Sequence, residues 1–402
     1  MKSQITNTLS DFFFEYETPR QVLVRNRRVG VACRVIQAGV LAYIIGWVFI
    51  YEKGYQSTDI AVSSVFTKMK GVGYTSINGK ERVWDEADFV FPPQGDSSFV
   101  VMTNYIITEG QEMRKCPELQ GSHNCSSDSD CEEGRFKRTG HGQMTGVCEK
   151  ATKTCEVLAW CPVENDHDIP DPAMLLSAEN YTLFIKNSVT FPMFGISRSN
   201  LVEDVDAEYI SKCLHDPKDS PLCPIFRLGD IVRLSGFNFE TIARVSCTVC
   251  DALVSRQGGA IGIVIDWTCN LDKDVKHCRP KYNFHGLYGN PAETDKARAS
   301  VGYNFRYAKY YLENVQKRTL LKVFGIRFDI IVQSLARKFD IIPTLTAIGS
   351  GVGIFGVATV VCDLVLLHLL PKREFYKNMK FKSTDSHKQD PDSEACSTET
   401  EK

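Results

Sequence analysis

The sequence predicts a membrane protein in which two transmembrane helices flank a large, disulfide-rich, mostly β domain. Three observations carry that prediction. Two long apolar stretches lie one near each end of the chain, and twelve of the fifteen cysteines fall between them, from Cys116 to Cys278. The residues in between also alternate apolar and polar side chains in short runs, the mark of half-buried strands. Composition sets the outer bounds. At 402 residues, 43% apolar and 24% charged, the chain is too polar for a bundle of many spans. A net charge of −2 gives no basic excess for a phosphate backbone, so nucleic acid is not an expected partner.

The first apolar stretch, Val35–Tyr51, runs 17 residues without a charge. As a helix it rises about 25 Å, near the lower limit for crossing hydrocarbon. Arg28 and Arg34 precede it and can snorkel, while Trp47 and Tyr51 suit an aromatic belt at the other end. It is long for a signal peptide, lacks a small-residue cleavage site and follows 34 residues of chain. A first transmembrane helix is therefore placed at 29–51, after a cytosolic segment 1–28.

The second stretch, Ile341–Leu370, is 30 residues with one acid, Asp363, and a second helix is placed at 339–370. Gly349 and Gly353 form a small-xxx-small pair that permits close helix approach. Thr346 and Ser350 sit one turn apart on one face. Such hydroxyls can satisfy themselves on their own backbone carbonyls, and a stripe of them also suits a helix that lines water. A carboxylate at a helix centre costs about 2.5–3.5 kcal/mol on insertion scales, less toward the ends, so Asp363 is expected to face protein or water.

Orientation follows from the flanks. Arg20, Arg25, Arg27, Arg28 and Arg34 lie before the first helix, and Lys372, Arg373, Lys377, Lys380 and Lys382 after the second. Positive-inside puts both termini in the cytosol and residues 52–338 outside. The clustered cysteines fall on that oxidising side, as do the sequons at Asn124 and Asn180. The block 116–161 holds six cysteines and little apolar core of its own, so it needs disulfide staples whose pairing spacing alone leaves open. The tail 371–402 is cytosolic, and its polar, acidic end is expected to be disordered.

Strand patterns appear at Ala61–Lys70, Tyr181–Lys186 and Ala260–Trp267, with a short helical pattern at Phe239–Ala243. Catalytic signatures are absent: no G-x-S-x-G, no H-E-x-x-H and no G-x-x-x-x-G-K-[ST]. Cys247 and Cys250 lack a second pair at zinc spacing, so a local disulfide or a disordered insertion is the better reading and no metal is expected. What the outer domain offers instead is cations on strands. Lys68 and Lys70 share one strand face. Asn304 and Arg306 share another, opposite Tyr303, Phe305 and Tyr307. Lys322 lies in a strongly apolar strand. Lone cations on strands are commonly solvated, but cations alternating with core aromatics suit a polyanion site built from side chains.

The combination TKMKG, CPIFRLGD, GYNFRYAKYY, KVFGIRFDI and YKNMK, with ten matching cysteines, resembles the P2X purinoceptors over about Phe12–Lys382. VLVRNRRVG, IGWVFIYEKGYQ and IGSGVGIFGVATVVCDL look closest to the first subtype of that family. The resemblance implies a homotrimeric cation channel of the plasma membrane opened by extracellular ATP, an agonist and not a cofactor. Lipid is then a partner, and heterotrimers with related subunits are a further assembly. Carried over, the ATP contacts fall on Lys68, Lys70, Thr182 and Phe184 of one subunit and Asn304, Arg306 and Lys322 of the next, flanked by Lys186 and Phe305. The implied disulfides are Cys116–Cys161, Cys125–Cys148, Cys131–Cys155, Cys213–Cys223 and Cys269–Cys278. Thr346 and Ser350 fall near the gate, a desensitisation motif on Thr18 and Arg20, and a trafficking signal on Tyr376 and Lys380.

One departure stands out. About twelve residues, 244–255 (RVSCTVCDALVS), have no counterpart in the family pattern and hold Cys247 and Cys250. Two alternatives remain beside the family reading. One is a trimeric channel of the acid-sensing or epithelial-sodium type, whose hallmark motifs are missing. The other is a membrane-tethered ectoprotein or ectoenzyme acting on nucleotides, for which no nucleophile or metal set is present.

Overall fold

The computed structural model describes residues 27–77, 79–94, 97–138, 140–165, 169–203, 205–243, 259–287 and 303–365, with 368 and 374. Thr18, Arg20, Tyr376, Lys380 and the segment 244–255 with Cys247 and Cys250 lie outside them. The chain divides into two compact units, residues 1–57 with 339–402, and residues 58–338.

The first unit is helical. Helix Arg27–Tyr43 continues as a π-helical turn, Ile44–Tyr51, and a second helix spans Ile341–Leu364. Gly30–Tyr51 and Ile341–Leu364 are each long and apolar enough to cross a membrane. The second helix starts at Ile341 rather than at 339, because the Asp340 carboxylate caps it by accepting from the Ile342 amide at 3.0 Å. The two helices touch where side chains are smallest. A Cβ at Gly351 would lie 3.2 Å from the Ile44 side chain, and Ala347, Ala358 and Cys362 are buried on the same helix. A Cβ at Gly349 or Gly353, the expected close-approach pair, would meet nothing within 4 Å among the described residues of this subunit. The contact uses the equivalent spacing two residues away, at Ala347 and Gly351.

The second unit is built of strands: β1 (Gln56–Asp59), β2 (Val62–Lys70), β3 (Gly73–Ile77), β4 (Lys80–Trp84), β5 (Val90–Phe91), β6 (Ser98–Pro117), β7 (Gln143–Glu149) and β8 (Thr154–Cys161) come first. They are followed by β9 (Thr182–Phe191), β10 (Ile196–Ser199), β11 (Ile225–Arg227), β12 (Gly259–Asn270), β13 (Lys281–Gly286), β14 (Asn304–Leu312) and β15 (Gln316–Phe339). A large mixed sheet runs β13-β12-β15-β6-β8-β7, with β14 also on β15; a smaller one runs β10-β9-β11, with β2 on β9.

β15 organises the large sheet. Its first half pairs with β14 and β6, and its second half takes β12 in parallel. The exchange occurs at Gly325, where the β6 register shifts. Only glycine fits there, since a Cβ would sit 2.4 Å from the Val101 carbonyl oxygen. The two sheets share one core: Met69, Leu183 and Ile185 from the smaller sheet pack with Ile263, Trp267, Val323 and Phe328 from the larger. The Trp267 indole also donates to Asn187 Oδ1 across it at 2.7 Å. Each such buried aliphatic or aromatic side chain contributes about 1.5–3 kcal/mol.

The cysteine-dense block forms a small lobe on β7 and β8. Its core is largely half-cystine, with Cys125, Cys131, Cys148, Cys155 and Cys161 around Met144 and Val157. Among the described residues five disulfides form, pairing Cys116 with Cys161, Cys125 with Cys148, Cys131 with Cys155, Cys213 with Cys223 and Cys269 with Cys278.

A buried carboxylate braces the lobe. Burial alone would raise the Glu118 carboxyl, but hydrogen bonds from the His141 ring, the His141 amide and the Leu119 amide bring it down to about 2. A group lowered on folding stabilises the protein above its unfolded value, near 4.3, and that contribution fades as pH falls toward about 2. Glu118→Gln is therefore expected to lower the melting temperature of the purified protein at pH 7. The gap from the parent should narrow as the pH is taken below about 4.3. A gap independent of pH would show that the carboxylate's charge contributes nothing.

Candidate ligand-binding site

On β2 and β9, residues paired across the ladder share a face, and the register stacks the candidate residues in rows. Lys70 opposes Thr182, Lys68 opposes Phe184, and Phe66 opposes Lys186. The intervening Met69, Leu183 and Ile185 are buried in the shared core, so this whole face points out. β11 extends two of the rows, placing Arg227 beside Thr182 and Ile225 beside Phe184. Both lie in the CPIFRLGD stretch, but the sequence assigns neither a role, because β11 has only three residues and no readable period. The three lysines have no carboxylate partner among the described residues, whereas the Arg227 guanidinium donates to Asp230 at 3.1 and 3.2 Å. The result is an unneutralised cationic row with an apolar ring at its middle, suited to a phosphate chain attached to a flat base.

The second set lies on the large sheet. Arg306 on β14 opposes Lys322 on β15, and Asn304 lies two residues before Arg306 on the same face. Phe305 does not share that face: its ring packs on Phe91 at 5.0 Å, toward the core, and so holds the strand rather than lining the patch. Lys322 is only 9% exposed, which a lone ammonium would not tolerate. Its neighbour is Glu164, whose side chain is 3% exposed and lies 3.6 Å away. The same carboxylate takes the fork of Arg306, accepting from Nε at 2.7 Å and Nη2 at 2.9 Å. Glu164 thus stands where a phosphate would stand, in bidentate contact with a guanidinium and near an ammonium. No sequence pattern marks it.

The two sets do not meet within the chain. Met69, Leu183 and Ile185 alternate with the first set, Leu321 and Val323 with the second, and all five enter one core. The two cationic faces therefore leave that core in opposite directions. Of the helix residues, Thr346 donates to the Ile342 and Pro343 carbonyls and Ser350 to that of Ala347, each satisfied by its own helix. Asp363 lies half-buried near the end of that helix.

Residues 14–383 match the family described as ATP P2X receptor. The chain belongs to the P2X receptor family. It is 45% identical to P2X purinoceptor 4 of Mus musculus over 390 residues, covering 95% of this chain and 97% of that one. With P2X purinoceptor 5 of Homo sapiens it shares 42% over 378 residues, 92% of this chain and 81% of that one. Among solved structures, an invertebrate P2X receptor from the Gulf Coast tick, determined with ATP and Zn2+, superposes with a TM-score of 0.73 at 40% identity. It covers 83% of this chain and 100% of its own. The chicken ATP-gated P2X7 channel with TNP-ATP gives 0.71 at 36% identity, covering 84% and 99%. As a P2X receptor the chain forms a trimeric, ATP-gated cation channel with two transmembrane helices per subunit in the plasma membrane. It is not an enzyme, and ATP is its agonist.

Lysine keeps the charge of Arg306 but cannot make the bidentate contact. Arg306→Lys is therefore expected to raise the half-maximal ATP concentration about tenfold in whole-cell recordings. An unchanged concentration–response curve would remove Arg306 from the site.

Proposed function

We propose that ATP opens this channel by bridging neighbouring subunits. Lys68, Lys70, Thr182, Phe184 and Lys186 of one subunit meet Asn304, Arg306 and Lys322 of the next, giving three sites per trimer. The observation that carries this is the opposite facing of the two cationic sets, which only a second copy can bring together. The triphosphate occupies the lysines and displaces Glu164 from Arg306, while Phe184 and Ile225 take the base. Binding energy then moves subunits, since the two halves belong to different chains.

The helix Ile341–Leu364 lines the pore, with Thr346 and Ser350 near the gate and Asp363 nearer the cytosolic end. The self-satisfied hydroxyls keep oxygen lone pairs for sodium, potassium and calcium, which pass without strong selection. Both termini are cytosolic, supported by the arginines before the first helix and the lysines after the second. Thr18 and Arg20 set desensitisation, and Tyr376 with Lys380 directs trafficking. Asn180 and Asn124 carry glycans, both side chains being exposed on the outer domain. Heterotrimers with related subunits and contacts with membrane lipid belong to the same reading. Likeness to the first subtype rests on VLVRNRRVG, IGWVFIYEKGYQ and IGSGVGIFGVATVVCDL. A full-length alignment with such a receptor should exceed the 45% found with purinoceptor 4.

Whole-cell current under applied ATP tests the site. Lys70→Ala and Lys322→Ala should each abolish the response or shift it at least a hundredfold, with surface expression retained. A variant that responds like the parent would sink the assignment.

A further inference from the structure

Arg318 is a half-buried guanidinium with no carboxylate partner among the described residues. Its Nε donates to the neutral Gln111 side chain at 2.8 Å, and its plane lies 4.5 Å over the Trp160 ring. Both supports are themselves anchored, since Gln111 Nε2 donates to the Pro162 carbonyl at 2.7 Å and Trp160 lies on β8, in the disulfide-bonded lobe. A guanidinium fixed in position by neutral groups and withdrawn from water is unusual unless an anion visits it.

Arg318 opens into a cavity of about 340 Å³, which Arg306, Glu164 and His141 also line. The floor is the β14–β15 ladder. Arg306 opposes Lys322, Ala308 opposes Leu320 and Tyr310 opposes Arg318, so all six side chains share one face. The cations Arg306 and Lys322 are thus followed along that face by a low stretch at Ala308 and then by Arg318. The backbone distance from Lys322 to Arg318 is about 13 Å, within reach of two long side chains converging on one chain of phosphates. The cavity walls carry two guanidiniums and one carboxylate, Glu164, which Arg306 already holds.

We infer that this cavity is a subsite for the far end of a polyphosphate chain longer than three, with Arg318 as its cation. The ligand class is a nucleoside tetraphosphate or longer. The inference rests on the placement of ATP proposed above. A triphosphate ends at Arg306 and Lys322, while a fourth phosphate passes over Ala308 and meets the Arg318 fork. Gln111 and Trp160 leave that fork pre-aimed, so little ordering accompanies the contact.

The test compares ATP with adenosine 5′-tetraphosphate on the full-length channel in whole-cell recordings. The parent should respond to the tetraphosphate at about tenfold lower concentration than to ATP. Arg318→Gln should erase that advantage while leaving the ATP curve within about twofold. Ala308→Leu, which fills the floor without touching a charge, should do the same and serves if the first variant is poorly expressed. Equal loss of potency for both nucleotides, or an unchanged ratio, overturns the subsite. Lys70→Ala separates this from the underlying placement: it should silence both nucleotides, and a surviving ATP response would instead overturn the placement of ATP.

Discussion

A β-strand whose one face is buried has only the other face to offer a ligand. In this receptor that constraint acts twice, on two sheets that share a core. Lys68 and Lys70 are exposed because Met69 is buried, and Arg306 and Lys322 share a face because Leu321 and Val323 fill the other. No side-chain rotation can bring the two sets together, since turning either strand would expose its core residues. The proposed site needs both sets, so another subunit must complete it, and the same alternation that builds the core imposes that requirement.

The two cationic sets differ in how they hold charge. The lysines of β2 and β9 are exposed to water, which screens them and leaves them ready for an anion at little cost. Lys322 is withdrawn from water, and a desolvated ammonium beside a guanidinium would be strongly unfavourable without an anion. Glu164 supplies that anion. It is drawn from the chain just after the lobe stapled by Cys116–Cys161, so a carboxylate from one element neutralises cations on another.

How much of this is legible in the sequence depends on whether a feature is periodic. The spans, the exposed strand faces and the alternation in TKMKG and GYNFR can be read because each repeats at a known interval. The disulfide pairing cannot be read that way. It rests on the family resemblance, and the structure reproduces all five bonds. Glu164 carries no local signal, because its partner Arg306 is 142 residues away. The facing of Ile225 and Arg227 is hidden for a similar reason, although CPIFRLGD contains both, since a three-residue strand acquires a face only from the register of its neighbour. The helix contact shows a further limit. Gly349, Gly351 and Gly353 are equivalent as small residues, and only the rotation of the helix against Ile44 selects Gly351.

On the proposed placement of ATP, the paired half-site gives binding a way to do mechanical work. A phosphate that takes the Arg306 fork would evict Glu164, and the evicted carboxylate could not stay where it is. At 3% exposure it would be a buried charge beside a second anion, an arrangement that costs more than either pair returns. The segment carrying Glu164 has to move toward water for the exchange to be favourable. A ligand shifts an equilibrium only by its differential affinity for the two states. On the proposed placement the difference is built in, because Glu164 holds the Arg306 fork in this structure and a phosphate takes it in the liganded one.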